Sequence, residues 1–103
     1  MFELVDKIVL GTVQLGMDYG ITNSYGKPEK LEALNILETA WENGIRRFDT
    51  APGYYSEDIL GEFIKINGVE NEVVVLTKIP SLKDKNDYQL SIKSSIEISL
   101  DKL

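Results

Sequence analysis

The chain contains no cysteine and no histidine. Together the two absences exclude a disulfide framework and any ordinary zinc or haem site. They also exclude histidine-based acid–base catalysis within these 103 residues. Long apolar runs are missing too: none exceeds about five residues, far below the span a membrane helix requires. The opening Met1-Phe2-Glu3-Leu4-Val5-Asp6-Lys7 carries acids where a signal peptide needs a basic start and an apolar core. No membrane association is expected, and a cytoplasmic location follows by default. Positive charge is scarce: 11 Lys and Arg stand against 17 Asp and Glu, a net charge of −6. Phosphate binding needs clustered cations, so nucleic acid is not an expected partner.

What remains is ordinary for a globular protein, with 43% hydrophobic and 27% charged residues. The length allows one small domain or part of a larger one. Strand-like and helix-like segments alternate. Lys7 to Leu10 is a short apolar run that Gly11 is expected to break. Ile45 to Asp49 is a second candidate strand. Glu72 to Lys78 is the clearest, with Val73, Val74, Val75 and Leu76 in succession. A nearly continuous apolar run is typical of parallel strands. Between Pro28 and Asn43, the residues Ala33, Leu34, Leu37, Ala40 and Trp41 share one helical stripe, with Pro28 suited to a first turn and Gly44 to the exit. Ser56 followed by Glu57 and Asp58 predicts a helix start with a hydroxyl cap. Ile59, Leu60, Phe63 and Ile64 form that helix's apolar face, and Asn67-Gly68 its end. Ile92, Ile96, Leu100 and Leu103 share a face in a third helix, from about Asp87 onward. The order is β-α-β-α-β-α, which predicts parallel pairing with right-handed crossovers. Gly11 to Lys27 is the one long irregular stretch. It holds four of the eight glycines, in no phosphate-loop or dinucleotide pattern.

Three residues could do chemistry. Asp49 ends the second strand, Lys78 ends the third, and Tyr54 lies five residues past Asp49 in the following loop. All three fall at the C-terminal end of the predicted parallel strands, where such sheets carry their sites. A phenol titrates near pH 10 and is a poor donor at neutral pH. A neighbouring ammonium favours the phenolate, and a carboxylate keeps the lysine charged and directed. The expected product is a tyrosine able to protonate an oxygen becoming an alkoxide, with hydride delivered from a nicotinamide. Each residue alone has a plainer reading: Asp49-Thr50 as a turn, Lys78 as a solvated edge charge, Tyr54 as packing. Their convergence at one end of one sheet favours the chemical reading.

The same residues carry a family resemblance. Leu10-Gly11-Thr12 with Gln14 and Gly16, Gly44-Ile45, Phe48-Asp49-Thr50-Ala51, Tyr54 with Glu57, Leu60-Gly61 and Val75-Leu76-Thr77-Lys78 together resemble the N-terminal part of an aldo-keto reductase. The resemblance covers nearly the whole chain. It implies an α/β fold of parallel (β/α) units, about three of the eight of a (β/α)8 TIM-type barrel. Residues 1–103 would then be a single partial barrel domain. It implies NADPH-dependent reduction of a small-molecule aldehyde or ketone. In it Tyr54 is the general acid, Lys78 the cation beside it, Asp49 the lysine's partner, and Gly11 and Thr12 neighbours of the nicotinamide. Tyr54 rather than adjacent Tyr55 fits the family spacing from Asp49 and Glu57. NADPH over NADH rests on the resemblance alone. Gln14, Met17, Asp18 and Tyr19 of the first loop point to no single ligand.

The sequence departs from the family pattern in one respect: the histidine expected at the end of the next strand is absent. The segments that would hold the nucleotide phosphates are absent too. A truncated barrel is therefore expected, inactive as an isolated monomer. The faces of Val74, Leu76 and Lys78, and of Ile45, Arg47 and Asp49, would line the barrel interior and be bare. That exposure favours self-association through open edges, and Arg47 would need an acidic partner. The competing function is a non-catalytic binding or regulatory module of the same shape. An unrelated barrel with coincidental motifs would place Asp49 and Lys78 on opposite faces.

Overall fold

Alternation along a strand decides which side chains meet the helices and which do not. In the computed structural model, which describes residues 2–18, 20, 24, 26–81 and 87–103, this alternation organises the whole chain. Tyr19 of the first loop lies outside the described residues. The elements are α1 (Phe2–Val5), β1 (Val9–Gly11), α2 (Val13–Gly16), α3 (Lys30–Glu42), β2 (Arg47–Asp49), a 3₁₀ turn (Pro52–Tyr54), α4 (Glu57–Asn67), β3 (Val74–Leu76) and α5 (Tyr88–Lys102). The strands form one parallel sheet in the order β1-β2-β3. Val9, Arg47 and Val74 stand in one row, Leu10, Phe48 and Val75 in the next, and Gly11, Asp49 and Leu76 in the third.

The middle row faces the helices. Phe48 is fully buried against Phe63 of α4, with ring centroids 5.8 Å apart, and Phe63 meets Trp41 of α3 edge-on at 6.0 Å. Leu37 and Leu60 complete the core, and burying each of these side chains contributes about 1.5–3 kcal/mol. Arg46 closes the margin. Its guanidinium stacks 3.8 Å from the Trp41 ring centroid and donates to the carbonyls of Trp41 and Ile45. The stripes expected on α3 and α4 are the buried ones, with Ala33, Leu37, Leu60, Phe63 and Ile64 at the centre. On α5 the apolar positions are less well covered: Ile96 and Leu100 are exposed, and its buried residue is Ser99. Gly61 lets the end of α5 approach α4. A Cβ there would stand 1.7 Å from the Lys102 carbonyl oxygen.

The outer rows are bare, as the alternation predicts: Val74 is 46% and Leu76 45% exposed. Several local expectations are corrected. Gly11 does not break β1 but is its last residue, paired with Asp49. Pro28 lies before α3, which begins at Lys30 with Glu29 in the cap position. The stretch after β1 is not wholly irregular, since Val13–Gly16 forms a helical turn. Among the described residues Arg47 pairs with no carboxylate. Its guanidinium donates to the backbone carbonyl of Asp6, which suffices because the side chain is exposed rather than buried.

Candidate active site

Each strand is followed at once by a threonine: Thr12 after β1, Thr50 after β2, Thr77 after β3. The ladder continues into this row, with Thr12 N–H donating to the Asp49 carbonyl (3.0 Å) and Thr50 N–H to the Leu76 carbonyl (2.8 Å). Three small hydroxylated residues thus stand at the C-terminal edge of the sheet. Thr12 and Thr50 turn inward and are fully buried. The Thr12 hydroxyl donates to the Asp49 carbonyl (2.9 Å) and lies 2.9 Å from the Ser56 hydroxyl, which is 2.8 Å from that of Thr50. Ser56 is therefore not the hydroxyl cap the sequence suggests. Its side chain makes no capping bond to α4, because the two threonines claim it.

Thr77 donates to Glu57 Oε2 at 2.7 Å. Glu57 is only 1% exposed, and among the described residues its Oε1 is the buried side-chain oxygen without a partner. Its position in the first turn of α4 places the carboxylate at the favourable end of the helix dipole.

Above this row lie the three candidate residues. Lys78 Nζ donates to both Asp49 oxygens, at 2.9 and 3.0 Å, and to the Thr50 carbonyl at 2.9 Å. It sits over the Tyr54 ring, 4.9 Å from the centroid. Asp49, Tyr54 and Lys78 are thus brought together on one edge, and the arrangement that would have favoured coincidental motifs, with Asp49 and Lys78 on opposite faces, is not found. The hydrogen bond to Asp49 raises the Lys78 pKa above its ordinary value. The Asp49 charge and the nearby Tyr54 side chain add to the effect, while partial burial opposes it. Tyr54 is held by its N–H on the Ala51 carbonyl (3.0 Å) and by the close approach of Gly16. The following residue, Tyr55, has φ 59° and projects outward.

The expected cofactor neighbours behave differently from one another. Gly11 is open: among the described residues, its chain neighbours aside, nothing lies within 4 Å of where a Cβ would stand. The Thr12 side chain is committed to the buried hydroxyl row. The sequence reading missed Ser56, Thr50 and Thr77 as members of this edge. A threonine directly after every strand was the available signal.

The Lys78–Asp49 pair has a measurable consequence. A raised folded-state pKa adds stability that is complete below the unfolded value of about 10.4 and is lost as pH climbs through the higher folded value. The lysine side chain is 47% exposed and the aspartate 35%, so the contribution is small, under about 1 kcal/mol. Urea midpoints of the chain should fall as pH rises past about 10.4. Asp49→Asn should flatten that fall, and an unchanged slope would contradict the pairing.

The chain thus presents parallel β/α units with a lysine, a carboxylate and a phenol gathered at the C-terminal edge of the sheet. The chain matches the Aldo/keto reductase family over residues 7–103 and belongs to that family. It is 50% identical over 53 residues to a chloroplastic pyridoxal reductase of Arabidopsis thaliana, a match covering 41% of this chain and 14% of that protein. It is 45% identical over 58 residues to a D-threo-aldose 1-dehydrogenase of a Pseudomonas species, covering 53% of this chain and 17% of that one. A crystal structure of a Pseudomonas aeruginosa protein assigned to the aldo-keto reductases superposes with a TM-score of 0.72 at 32% identity, covering 92% of this chain and 37% of that one. A second solved structure from the same organism gives 0.69 at 30% identity, with 92% and 35% covered. The chain thus spans well under half the length of these relatives.

Proposed function

We propose that residues 1–103 form part of a (β/α)8 barrel domain and supply the proton-donating part of an NADPH-dependent carbonyl reductase site. The observation that carries this reading is the position of Lys78 Nζ, held by both Asp49 oxygens and placed over the Tyr54 ring. Tyr54 gives its hydroxyl proton to the carbonyl oxygen of a small aldehyde or ketone as a hydride arrives at the carbon. Lys78 stabilises the phenolate charge as it forms, and Asp49 keeps Lys78 charged and aimed. NADPH, when bound, supplies the hydride. Open Gly11 leaves room for it on the β1 side, with Thr12 securing the strand end beneath. Among the described residues no helix is long and apolar enough to cross a membrane; we place the protein in the cytoplasm.

The test is carbonyl-dependent oxidation of NADPH by a chimera that joins this chain in register to the remaining units of the solved Pseudomonas aeruginosa barrel. A folded chimera that binds NADPH and oxidises it with no aldehyde or ketone would overturn the reading. It would favour instead a non-catalytic binding or regulatory module of the same shape.

The bare outer rows, with Val74 and Leu76 on β3, have their own consequence. On this reading further strands cover them in the working barrel. Alone, the chain should associate with itself through its open β1 and β3 edges. Sedimentation velocity should show a mass rising with concentration, and Leu76→Glu should suppress the rise. A wild-type chain that stays monomeric throughout would contradict the exposed-face argument.

A further inference from the structure

We propose that Ser56 is a positioning residue of this site, the middle member of a one-way chain of hydroxyls that fixes the Tyr54 loop against the ends of β1 and β2. The direction follows from counting protons. A hydroxyl has one to give. Thr12 gives its proton to the Asp49 carbonyl, so it can only accept in its 2.9 Å contact with Ser56. Ser56 spends its proton there and must accept in its 2.8 Å contact with Thr50. The order is Thr50 to Ser56 to Thr12 to the Asp49 carbonyl. All three side chains are fully buried, so a member that loses its partner finds no water to replace it. Links polarised in one direction strengthen one another, and only one arrangement satisfies them all.

The two ends of this chain lie beside the groups that hold the lysine. The Thr50 carbonyl and the Asp49 carboxylate both accept from Lys78 Nζ. Ser56 itself is two residues beyond Tyr54 and immediately before α4. It therefore ties the Tyr54 loop, the helix start and two strand ends at one atom. A purely local role was open to it as the cap of α4, and its hydroxyl is not used that way. This separates positioning from capping.

The proposal rests on the reading of Tyr54 and Lys78 as the reacting pair, but its test does not depend on turnover. With Nζ 4.9 Å from the Tyr54 centroid, the ring current should move the Lys78 ε-methylene proton resonances upfield. Tyr54→Leu should abolish that displacement and so assign it. Ser56→Ala, and Thr50→Val, which keeps the shape and deletes the hydroxyl, should lose the displacement in chains whose circular dichroism stays native. Thr50→Ser, which keeps the hydroxyl, should retain it. If Ser56→Ala does not fold, the Thr50 pair carries the comparison. Folded hydroxyl-deleted variants with the wild-type displacement would overturn the proposal, as would a displacement that Tyr54→Leu leaves untouched. Absent carbonyl reduction with the resonances responding as expected would sink the reaction reading and leave the hydroxyl chain standing.

Discussion

Tyr54→Phe is expected to lower carbonyl reduction by about 10²–10⁴-fold, the range that a positioned proton donor supplies. The substitution removes one oxygen and keeps the ring. Lys78 would still stack on that ring and still donate to Asp49 and the Thr50 carbonyl. NADPH affinity, measured by fluorescence titration, should therefore change little. The loss should fall on kcat, because the missing bond matters most as the substrate oxygen gains charge. Neighbouring Tyr55 provides the control. It is 70% exposed and projects away from the sheet edge, so Tyr55→Phe should leave turnover within a factor of about two, as surface changes usually do. Turnover lost in Tyr55→Phe and kept in Tyr54→Phe would exchange the two assignments.

The contrast between the two tyrosines shows what was legible in the sequence. The family spacing from Asp49 and Glu57 pointed to Tyr54; in the fold the chain turns into the left-handed region at residue 55, whose side chain is exposed. The parallel order was legible because Val73 to Leu76 is apolar without alternation, and α3 and α4 because their stripes hold the 3.6 period. Ser56 was misread for a physical reason. From the sequence alone a serine before two acids is a cap, since the helix offers it N–H groups nearby. In the fold two buried threonine hydroxyls lie closer to hand, and leaving that of Thr50 without Ser56 to accept its proton would cost about 1–3 kcal/mol. That demand outweighs a cap of about 1 kcal/mol. Arg47 shows a different limit: the sequence does not reveal that its guanidinium reaches the Asp6 carbonyl, a contact that only the folded β1–β2 edge brings about.

Gly16→Ala should lower stability, and should lower turnover as well only where the Tyr54 loop gives way; the reason is geometric. Gly16 ends α2 and is buried against the Tyr54 loop. A Cβ at this position would stand 1.9 Å from the Tyr54 carbonyl oxygen, 2.5 Å from the Tyr55 carbonyl carbon and 2.6 Å from the Ser56 nitrogen. All three are backbone atoms, so no side-chain rotation relieves the contact. Either α2 or the Tyr54 loop must move by about 1 Å or more to reach ordinary contact distance. The loop is the costlier part to move, because Ser56 is locked between Thr12 and Thr50. Overpacking of this kind costs about 1–3 kcal/mol, visible as a lower urea midpoint. A shift of about 1 Å at the proton donor can cost a further 10²-fold in rate. The two losses separate in experiment. If α2 yields, stability falls while turnover and the Lys78 ring-current displacement survive, and this is the outcome expected with a serine held at both ends. If the loop yields, all three fall together. Wild-type stability in Gly16→Ala would mean that α2 does not pack on the Tyr54 loop, and the clamp around the phenol would then have lost one of its two jaws.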